Sequence, residues 1–366
     1  MTDQHFMRRA LKLAANGSGL VEPNPMVGCV VVRDGEIIGE GFHRKFGGPH
    51  AEVNALSACR DSGYSTDGAT MYVTLEPCCH HGKTPPCTSA VVDAKIARVV
   101  IGTEDPFKEV SGGGIAILKD AGIEVVSGCM EAEARDLIAP FTTLVEKKRP
   151  WIIAKWAMTL DGKIATASGD SQWISCEQSR AIVHEIRGRM DAIIIGRGTA
   201  EADDPLLTAR PAGPRTAARI VIDRGASLSL DSQLVKTANE VPVILACSAT
   251  ADAGRIAKLQ SAGCEVLSMS GESSEEQLES LFQELGRRQM MNVLVEGGGK
   301  LIGSLLDASL IDEVHAFIAP KLVGGASSPG PVAGQGIDKI GSALNLNSMS
   351  IESVGSDVYI RGRVRE

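Results

Sequence analysis

The sequence predicts two α/β domains in tandem, and three observations support this. The chain has 366 residues, whereas single domains cluster at roughly 100–200 residues. Short apolar strand-like segments alternate with helical segments, which is typical of parallel sheets covered by helices. The basic segment Lys147-Lys148-Arg149-Pro150 interrupts this alternation near the middle of the chain. We therefore predict one domain over residues 1–147 and a second over residues 148–366.

The first domain is predicted to begin with a helix that Gly17 ends. Pro23-Asn24-Pro25 follows as a rigid extended loop, because proline restricts its own backbone and that of the residue before it. Asp34-Gly35 lies between two apolar strands and predicts a hairpin turn. The predicted helices are 4–16, one beginning near 50, 88–95, 115–119 and 131–146, and the predicted strands are 28–32, 36–40, 70–75, 98–102 and 124–127.

The second domain alternates strands and helices again, without resembling a repeat of the first. Ser175 is predicted to cap a helix, with Gln178 in the capping-box position. Three glycines, Gly297 to Gly299, follow a strand and turn into a helix that ends near residue 308. The other predicted elements are a helix at 275–288 and strands at 151–156, 192–195, 219–223, 241–246, 293–296, 314–319 and 358–360.

Composition argues against several classes of protein. The net charge is −8 and aromatic residues make up only 4%, so we expect neither the basic face nor the stacking platform of a nucleic-acid binder. No stretch approaches the ~18 apolar residues of a membrane span, so we expect no membrane association. The polar N-terminus lacks a signal core, which predicts a cytoplasmic protein whose nine cysteines are free thiols. Clustered cysteines then indicate a metal site.

His50, Cys78 and Cys87 form the most informative cluster. One imidazole and two thiolates suit Zn²⁺, and three protein ligands leave a fourth position for water. Zinc lowers the pKa of such a water from 15.7 to roughly 7. Glu52 lies two residues after His50, where it can accept the water's proton without binding the metal and return it to a departing amine. The cluster therefore predicts hydrolytic deamination.

Two other interpretations of these residues remain open. Cys79, His80 or His81 could supply a fourth ligand and close a purely structural zinc site, or Cys78 and Cys87 could be buried thiols. Glu52 favours the catalytic interpretation, because a structural site has no use for it. The pattern differs from the H-x-E and P-C-x-x-C signature of zinc deaminases in one respect, since eight residues separate the two cysteines.

Four motifs of the first half are informative together. They are Pro23-Asn24-Pro25, His50-Ala51-Glu52, Thr74-Leu75-Glu76-Pro77-Cys78, and His80 with Gly82-Lys83-Thr84-Pro85-Pro86-Cys87. With these motifs the first half resembles the bifunctional deaminase/reductase family of riboflavin biosynthesis, which joins a cytidine-deaminase-like domain to a pyrimidine reductase. The longer loop between the cysteines is that family's form of the motif. The resemblance implies that Asn24, His43, His80, Lys83 and Thr84 contact a pyrimidine ribose phosphate.

The second half contains no G-x-G-x-x-G fingerprint and no P-loop, so its residues alone give little support to a nucleotide site. The resemblance nevertheless continues, and it implies a dihydrofolate-reductase-like α/β domain that uses NADPH. The motifs that carry it include Leu160-Asp161-Gly162-Lys163, Gly169-Asp170-Ser171-Gln172-Trp173-Ile174, residues 202–208, residues 295–298 and Ala319-Pro320-Lys321-Leu322.

By this resemblance the NADPH site comprises Ala157, Trp173, Thr199, Asp203, Arg224, Gly298, Gly299, Lys300, Leu301, Ile302, Gly303 and Ser304. The substrate residues are Ser171, Arg187, Leu207, Arg210 and Glu296. Lys155, Asp203 and Glu296 are candidates for the proton donor, and Lys155 and Asp203 are preferred. In isolation, Trp173 is better explained as a core aromatic residue and residues 203–205 as a turn.

The sequence thus predicts a bifunctional enzyme with Zn²⁺ and NADPH as cofactors. The resemblance implies that it deaminates 2,5-diamino-6-ribosylamino-4(3H)-pyrimidinone 5′-phosphate and then reduces the ribosyl group, giving 5-amino-6-(5-phosphoribitylamino)uracil. By the same resemblance, the expected partners are this small molecule and further copies of the chain in a homo-oligomer. Two alternatives are a tRNA-adenosine-type deaminase and a non-catalytic regulator with structural zinc and a nucleotide-binding domain.

Overall fold

The structure is a computed structural model that describes residues 2–80, 85–107 and 111–364. The chain divides into two compact units, residues 1–148 and 149–366. The predicted substrate residues Lys83 and Thr84, and the alternative zinc ligand His81, lie outside the described residues. A helix with the length and apolar character of a membrane span is absent from the part of the chain that the structure describes.

The first unit contains a five-stranded sheet in the order β2-β1-β3-β4-β5. β1 pairs antiparallel with β2 and β3, whereas β3, β4 and β5 are parallel. Asp34 and Gly35 form the β1–β2 turn with φ of 52° and 81°, the left-handed backbone that such a hairpin requires. The strands are β1 (Gly28–Arg33), β2 (Glu36–Phe42), β3 (Thr70–Leu75), β4 (Arg98–Thr103) and β5 (Glu124–Ser127).

Helices cover both faces of this sheet, because both sets of alternating strand residues are apolar. Cys29, Val31 and Met71 are buried against α2, α3 and α4 on one face, whereas Val30 and Tyr72 pack beneath α1 on the other. The unit therefore has three layers. The helices are α1 (Asp3–Ala14), α2 (Ala51–Asp61), α3 (Cys87–Asp93), α4 (Gly113–Asp120) and α5 (Glu131–Glu146), and a 3-10 turn follows α1 at Ala15–Gly17.

The second unit contains a nine-stranded sheet in the order β10-β9-β8-β7-β11-β6-β12-β14-β13. The first seven strands in this order, which begin with β10 and end with β12, are parallel to one another. The last two, β14 and β13, are each antiparallel to the strand before them and form one edge of the sheet. They are β6 (Trp151–Thr159), β7 (Ala192–Gly196), β8 (Ala218–Ile222), β9 (Val243–Ser248), β10 (Glu265–Met269), β11 (Asn292–Val295), β12 (Glu313–Ala319), β13 (Leu346–Val354) and β14 (Asp357–Val364).

The largest apolar core of this unit lies where α10 and α11 pack on the sheet. Phe282, Ile302 and Leu305 from these helices meet Ile152 and Ile194 from the central strands. On the opposite face, Val183 of α6 packs with Phe317 and Tyr359. The helices are α6 (Glu177–Arg187), α7 (Arg197–Asp203), α8 (Gln233–Lys236), α9 (Ala253–Ser261), α10 (Ser274–Arg287) and α11 (Gly299–Asp307), with a 3-10 turn at Ile340–Ser342.

The predicted cap at Ser175 is wrong by one residue. Cys176 is the N-cap of α6 and makes no side-chain cap. Instead, the carboxylate of Asp357 accepts hydrogen bonds from the Cys176 amide and the Ser179 hydroxyl, both at 2.7 Å. A capping box does form at α10, between Ser273 and Glu276. A residue 181 positions away thus caps α6, a contact that local sequence does not contain.

Candidate active sites

Three side chains of the first unit place their ligand atoms together. Nδ1 of His50 lies 3.6 Å from Sγ of Cys78 and 3.3 Å from Sγ of Cys87. All three ligand atoms lie within 4.8 Å of one another. Ordinary Zn–N and Zn–S bond lengths at a tetrahedral angle give an N···S separation of about 3.5 Å. The donor set and its spacing therefore fit a zinc ion.

Secondary structure brings these ligands together from three segments. His50 is the N-cap of α2, Cys78 follows the end of β3, and Cys87 is the first residue of α3. The Cys87 amide donates a hydrogen bond to Sγ of Cys78 at 3.3 Å, which holds the two thiols side by side. Because β3 is an inner strand of the sheet, the Cys78 segment has a rigid base.

Glu76 anchors the segment that carries Cys78. Its buried carboxylate accepts hydrogen bonds from four backbone amides, those of Asp105, Gly112, Gly114 and Ile115, at 2.9–3.3 Å. Gly114 also passes so close that a Cβ there would lie 2.1 Å from the carbonyl oxygen of Pro77. The start of α4 is thereby fastened to the ligand segment.

The fourth zinc position receives no protein ligand from the described residues. The side chains that could hold a metal ion there are those of His50, Cys78 and Cys87, and Cys79 is not among them. A Cβ on Gly113 would lie 3.0 Å from Sγ of Cys79, which places that thiol beside the start of α4. This geometry leaves room for a water, as catalytic zinc sites do.

Glu52 lies in the first turn of α2 and lines the same cavity as His50 and Cys78. It is 3% exposed, and burial raises the pKa of its carboxyl group. A carboxyl group with a raised pKa, beside the metal-binding cluster but outside it, can accept a proton and give it back.

The cavity at this cluster has a volume of about 310 Å³ and also contains the predicted substrate residues Asn24, His43 and His80. Nδ1 of His43 lies 3.2 Å from the carbonyl oxygen of Pro49, and its Nε2 lies 3.4 Å from the Asn24 amide nitrogen. Burial lowers the pKa of His43, which favours a neutral ring that can make neutral hydrogen bonds.

Several residues that line this cavity had no role predicted from the sequence. Among them are Asp105, whose pKa burial raises, and Phe141 of α5. Asp105 follows the end of β4, and carboxyl ends of parallel strands are common places for polar site residues. That position was a usable signal for Asp105, whereas nothing local to α5 marks Phe141.

In the second unit, Glu296 is the centre of a buried ionic cluster. Its carboxylate accepts hydrogen bonds from Nε and Nη2 of Arg187 at 2.6 and 3.0 Å and from Nζ of Lys155 at 3.4 Å. Burial alone would raise the pKa of Glu296, but Arg187 and Lys155 outweigh burial and lower it to about 2. Glu296 directly follows β11, Lys155 lies in the middle of β6, and Arg187 is the last residue of α6.

This cluster lines a cavity of about 780 Å³. The predicted substrate residues Ser171, Arg187, Leu207, Arg210 and Glu296 line it, as do Lys155, Ala157, Trp173, Thr199, Asp203, Gly298 and Ile302. Thr199 accepts a hydrogen bond from the Gly298 amide at 3.0 Å, which joins the start of α7 to the turn before α11. Of the sixteen predicted reductase residues that line one of the two cavities, twelve line this one.

Four other predicted NADPH residues line a neighbouring cavity of about 720 Å³. They are Arg224, Lys300, Leu301 and Ser304. Gly299 and Gly303 line neither cavity. A Cβ at these positions would lie 2.5 Å from the Gly330 oxygen and 2.1 Å from the Ala333 oxygen, respectively, so both glycines allow a close backbone approach.

Trp173 is not a core residue, because it is 63% exposed. The guanidinium of Arg180 lies 4.8 Å from the centre of its ring. Burial raises the pKa of Asp203, and a hydrogen bond with Ser171 partly opposes this effect. An exposed aromatic surface and a carboxyl group with a raised pKa therefore border the same cavity as Lys155.

Arg180 and His184 also line this cavity and were not assigned from the sequence. They lie seven and three residues before Arg187 on α6. Nδ1 of His184 lies 3.1 Å from the Thr208 carbonyl oxygen. Residues three and seven positions apart lie on the same face of a helix, so Arg180, His184 and Arg187 share one face of α6. This spacing could have identified Arg180 and His184 from the sequence.

Comparisons with known proteins cover both units. Residues 150–360 match the family described as "RibD C-terminal domain", and residues 1–103 match "Cytidine and deoxycytidylate deaminase zinc-binding region". Riboflavin biosynthesis protein RibD of Actinobacillus pleuropneumoniae is 43% identical over 360 residues, covering 98% of this chain and 95% of that protein. The chain belongs to the RibD family. RibD of Escherichia coli is 39% identical over 98% of the chain and 99% of that protein.

Solved structures agree over the full length. The diaminohydroxyphosphoribosylaminopyrimidine deaminase/5-amino-6-(5-phosphoribosylamino)uracil reductase of Thermotoga maritima is 39% identical, with a TM-score of 0.84 and 99% of both chains covered. Acinetobacter baumannii RibD is 34% identical with the same TM-score, covering 100% of this chain and 99% of that chain. The predicted fold class is confirmed, a cytidine-deaminase-like domain followed by a dihydrofolate-reductase-like one.

This RibD-family chain is accordingly a bifunctional deaminase and reductase of riboflavin biosynthesis, and its cofactors are Zn²⁺ and NADPH. A tRNA-type deaminase and a non-catalytic regulator are not favoured, because the similarity to RibD proteins extends through both units. The substrate belongs to the small pyrimidine compounds.

Proposed function

We propose that residues 1–147 deaminate 2,5-diamino-6-ribosylamino-4(3H)-pyrimidinone 5′-phosphate and that residues 148–366 reduce the product to 5-amino-6-(5-phosphoribitylamino)uracil. The main support for the deaminase assignment is that Glu52 is buried beside the cluster of His50, Cys78 and Cys87 without being one of its ligands. The names of the Thermotoga maritima relative's two activities support this substrate and this order.

In the first reaction, water adds to the ring carbon that carries an amino group, and ammonia leaves. His50, Cys78 and Cys87 would hold a zinc ion, which would make a water molecule in the cavity more acidic. We assign to Glu52 the transfer of the water's proton to the departing ammonia, supported by its position in the cavity and its raised pKa. Asn24 and His43 then orient the ring through hydrogen bonds. Lys83 and Thr84 are the predicted contacts of the substrate's phosphate group.

In the second reaction, a hydride adds to the sugar carbon. The bond between that carbon and its oxygen breaks, and the oxygen accepts a proton. NADPH supplies the hydride, and the protein positions the two reactants. We assign the proton to Lys155 or Asp203, because both line the cavity and burial raises the pKa of the Asp203 carboxyl group. Arg187 and Arg210 provide charge for the substrate's phosphate and hydroxyl groups.

Mass spectrometry of the diaminopyrimidine ribose phosphate, incubated with and without NADPH, tests both halves. We expect NH to be replaced by O in either case, and two hydrogens to be gained only with NADPH. Glu52→Gln should stop the first change, while supplied deaminated intermediate is still reduced. An unchanged substrate with zinc bound would overturn the deaminase assignment, and reduction before deamination would overturn the order.

We also propose that the chain forms a homo-oligomer through the edge of the nine-stranded sheet. Apolar side chains are exposed at or near β13, namely Ile340 at 93%, Ile351 at 62% and Met349 at 55%. Exposed apolar side chains on an edge strand are a recurrent feature of protein–protein contacts. Sedimentation velocity should give an oligomer for the wild type and a monomer for Ile351→Glu, and a monomeric wild type would contradict the proposal.

A further inference from the structure

The cavity of about 720 Å³ beside the reductase site is lined by four cations that come from four different segments. They are Arg197, Arg224, Arg255 and Lys300. Arg197 is paired with Glu201 at 3.0 Å. Arg224, Arg255 and Lys300 are exposed and belong to no ion pair of the described residues, and the Arg224 guanidinium donates a hydrogen bond to the neutral hydroxyl of Ser274. In a chain of net charge −8, three unpaired cations at one cavity indicate a site for an anion.

The acidic group at this cavity is already satisfied. Asp223 is 2% exposed, and its carboxylate accepts hydrogen bonds from the backbone amides of Ser227 and Leu228 and from the Ser227 hydroxyl. In Rossmann folds, an acid that follows a sheet strand binds the ribose 2′-hydroxyl of NAD, whereas a nearby arginine accommodates the 2′-phosphate of NADP, and the same electrostatic argument applies to this cavity. Here the acid is buried, and the exposed neighbour is Arg224.

The strand order locates Arg255 relative to the reductase cavity. Glu296 follows β11, Arg197 follows β7, Arg224 lies just after β8, and Arg255 lies in the first turn of α9, after β9. These strands are neighbours in the order β11-β7-β8-β9. Three strand spacings separate β11 from β9, or about 14 Å. Gly198 lines both cavities, so one extended ligand can occupy the two.

We propose that Arg255 is a specificity-determining residue of the reductase and binds, with Arg224, the 2′-phosphate of NADPH. The inference rests on the proposed function, in which NADPH gives its hydride to the substrate in the cavity lined by Lys155 and Glu296. The adenosine end then extends along the carboxyl ends of β7 and β8 to α9. No residue of α9 was assigned a role by the sequence or by the resemblance.

The test measures binding without turnover. Calorimetry compares NADPH, NADH, adenosine 2′,5′-bisphosphate and 5′-AMP as ligands of the full-length wild type and of Arg255→Gln. Hydrogen bonds to charged groups predict a loss of about tenfold or more in affinity for the two 2′-phosphorylated ligands. Affinity for NADH and 5′-AMP should stay within about twofold, and Arg255→Lys should recover part of the loss.

Lys258→Gln is the matched control, because Lys258 is an exposed cation on the same helix that does not line the cavity. We expect wild-type affinity for all four ligands in this variant. Equal weakening of NADPH and NADH by Arg255→Gln, or no weakening of either, would overturn the proposal while leaving the reductase assignment intact. A wild type that binds NADPH no better than NADH would overturn the proposed cofactor placement as well.

Discussion

Replacing Glu296 by glutamine provides a quantitative test of the reductase site. Glutamine has nearly the shape of a protonated glutamic acid, so the variant removes the charge and keeps the volume. In the wild type, the 7% exposed carboxylate is bound by Arg187 and Lys155. The variant leaves both cations without their acid, which is costly for buried charges.

The magnitude follows from the pKa of Glu296. Burial opposes its ionisation, but Arg187 and Lys155 dominate and lower the pKa from 4.5 to about 2. At 1.36 kcal/mol per pKa unit, the charged form stabilises the folded unit by about 3 kcal/mol at pH 7. Because the folded-state pKa lies below the unfolded one, this contribution is complete above about pH 5 and declines as the pH falls toward 2. About half of it remains at pH 3.

Tryptophan fluorescence can follow this unit selectively, because all three tryptophans, Trp151, Trp156 and Trp173, lie in residues 149–366. Urea unfolding of the wild type and of Glu296→Gln would be compared at pH 7, 5, 4 and 3. Glu201→Gln is the control, since its partner Arg197 forms an exposed pair with an expected effect of at most about 0.5 kcal/mol. A wild-type advantage below about 1 kcal/mol at pH 7, or one that does not shrink by pH 3, would refute the reasoning.

Three further predictions follow from the sites. Glu52→Gln should lower the rate of ammonia release by about 10³-fold, while zinc content and reduction of supplied deaminated substrate stay at wild-type levels; loss of zinc would show that Glu52 is structural. Glu76→Gln should destabilise the segment anchored by Glu76 by about 2–4 kcal/mol, because four backbone amides lose a charged acceptor. Hydrogen exchange of the Gly112, Gly114 and Ile115 amides should then accelerate by more than tenfold. Unchanged exchange would contradict this role of Glu76. Trp173→Ala should change the free energy of unfolding by less than about 0.5 kcal/mol but weaken NADPH binding severalfold, whereas a core tryptophan would cost about 3–5 kcal/mol.

Much of the fold was predictable because its determinants are local or periodic. Asp34-Gly35 specifies the hairpin through its backbone preferences. Strand residues such as Val30 and Val31 are all apolar, and this run predicts a sheet covered on both faces, as observed. The elements that were not predicted, among them α7, α8, α9, β10 and β13, are short or carry mixed polar residues. Their stability comes from contacts with the sheet, which no local pattern contains.

The same division holds for the sites. The residue types His50, Glu52, Cys78 and Cys87 indicated zinc chemistry by themselves, because few other arrangements use two thiolates, an imidazole and a nearby acid. The sequence could not indicate that Glu296 pairs with both Arg187 and Lys155, residues more than 100 positions away.

The sequence by itself thus determined the fold class and the zinc chemistry, through local backbone preferences, periodic apolar residues and the ligand types. Only the tertiary structure decided which charges are buried and paired, and which acids have a raised or lowered pKa. It also decided which cations remain unpaired at the cavity that contains Arg255. The physical reason is that desolvation and Coulomb interaction depend on distances in space, which strand order and helix packing set.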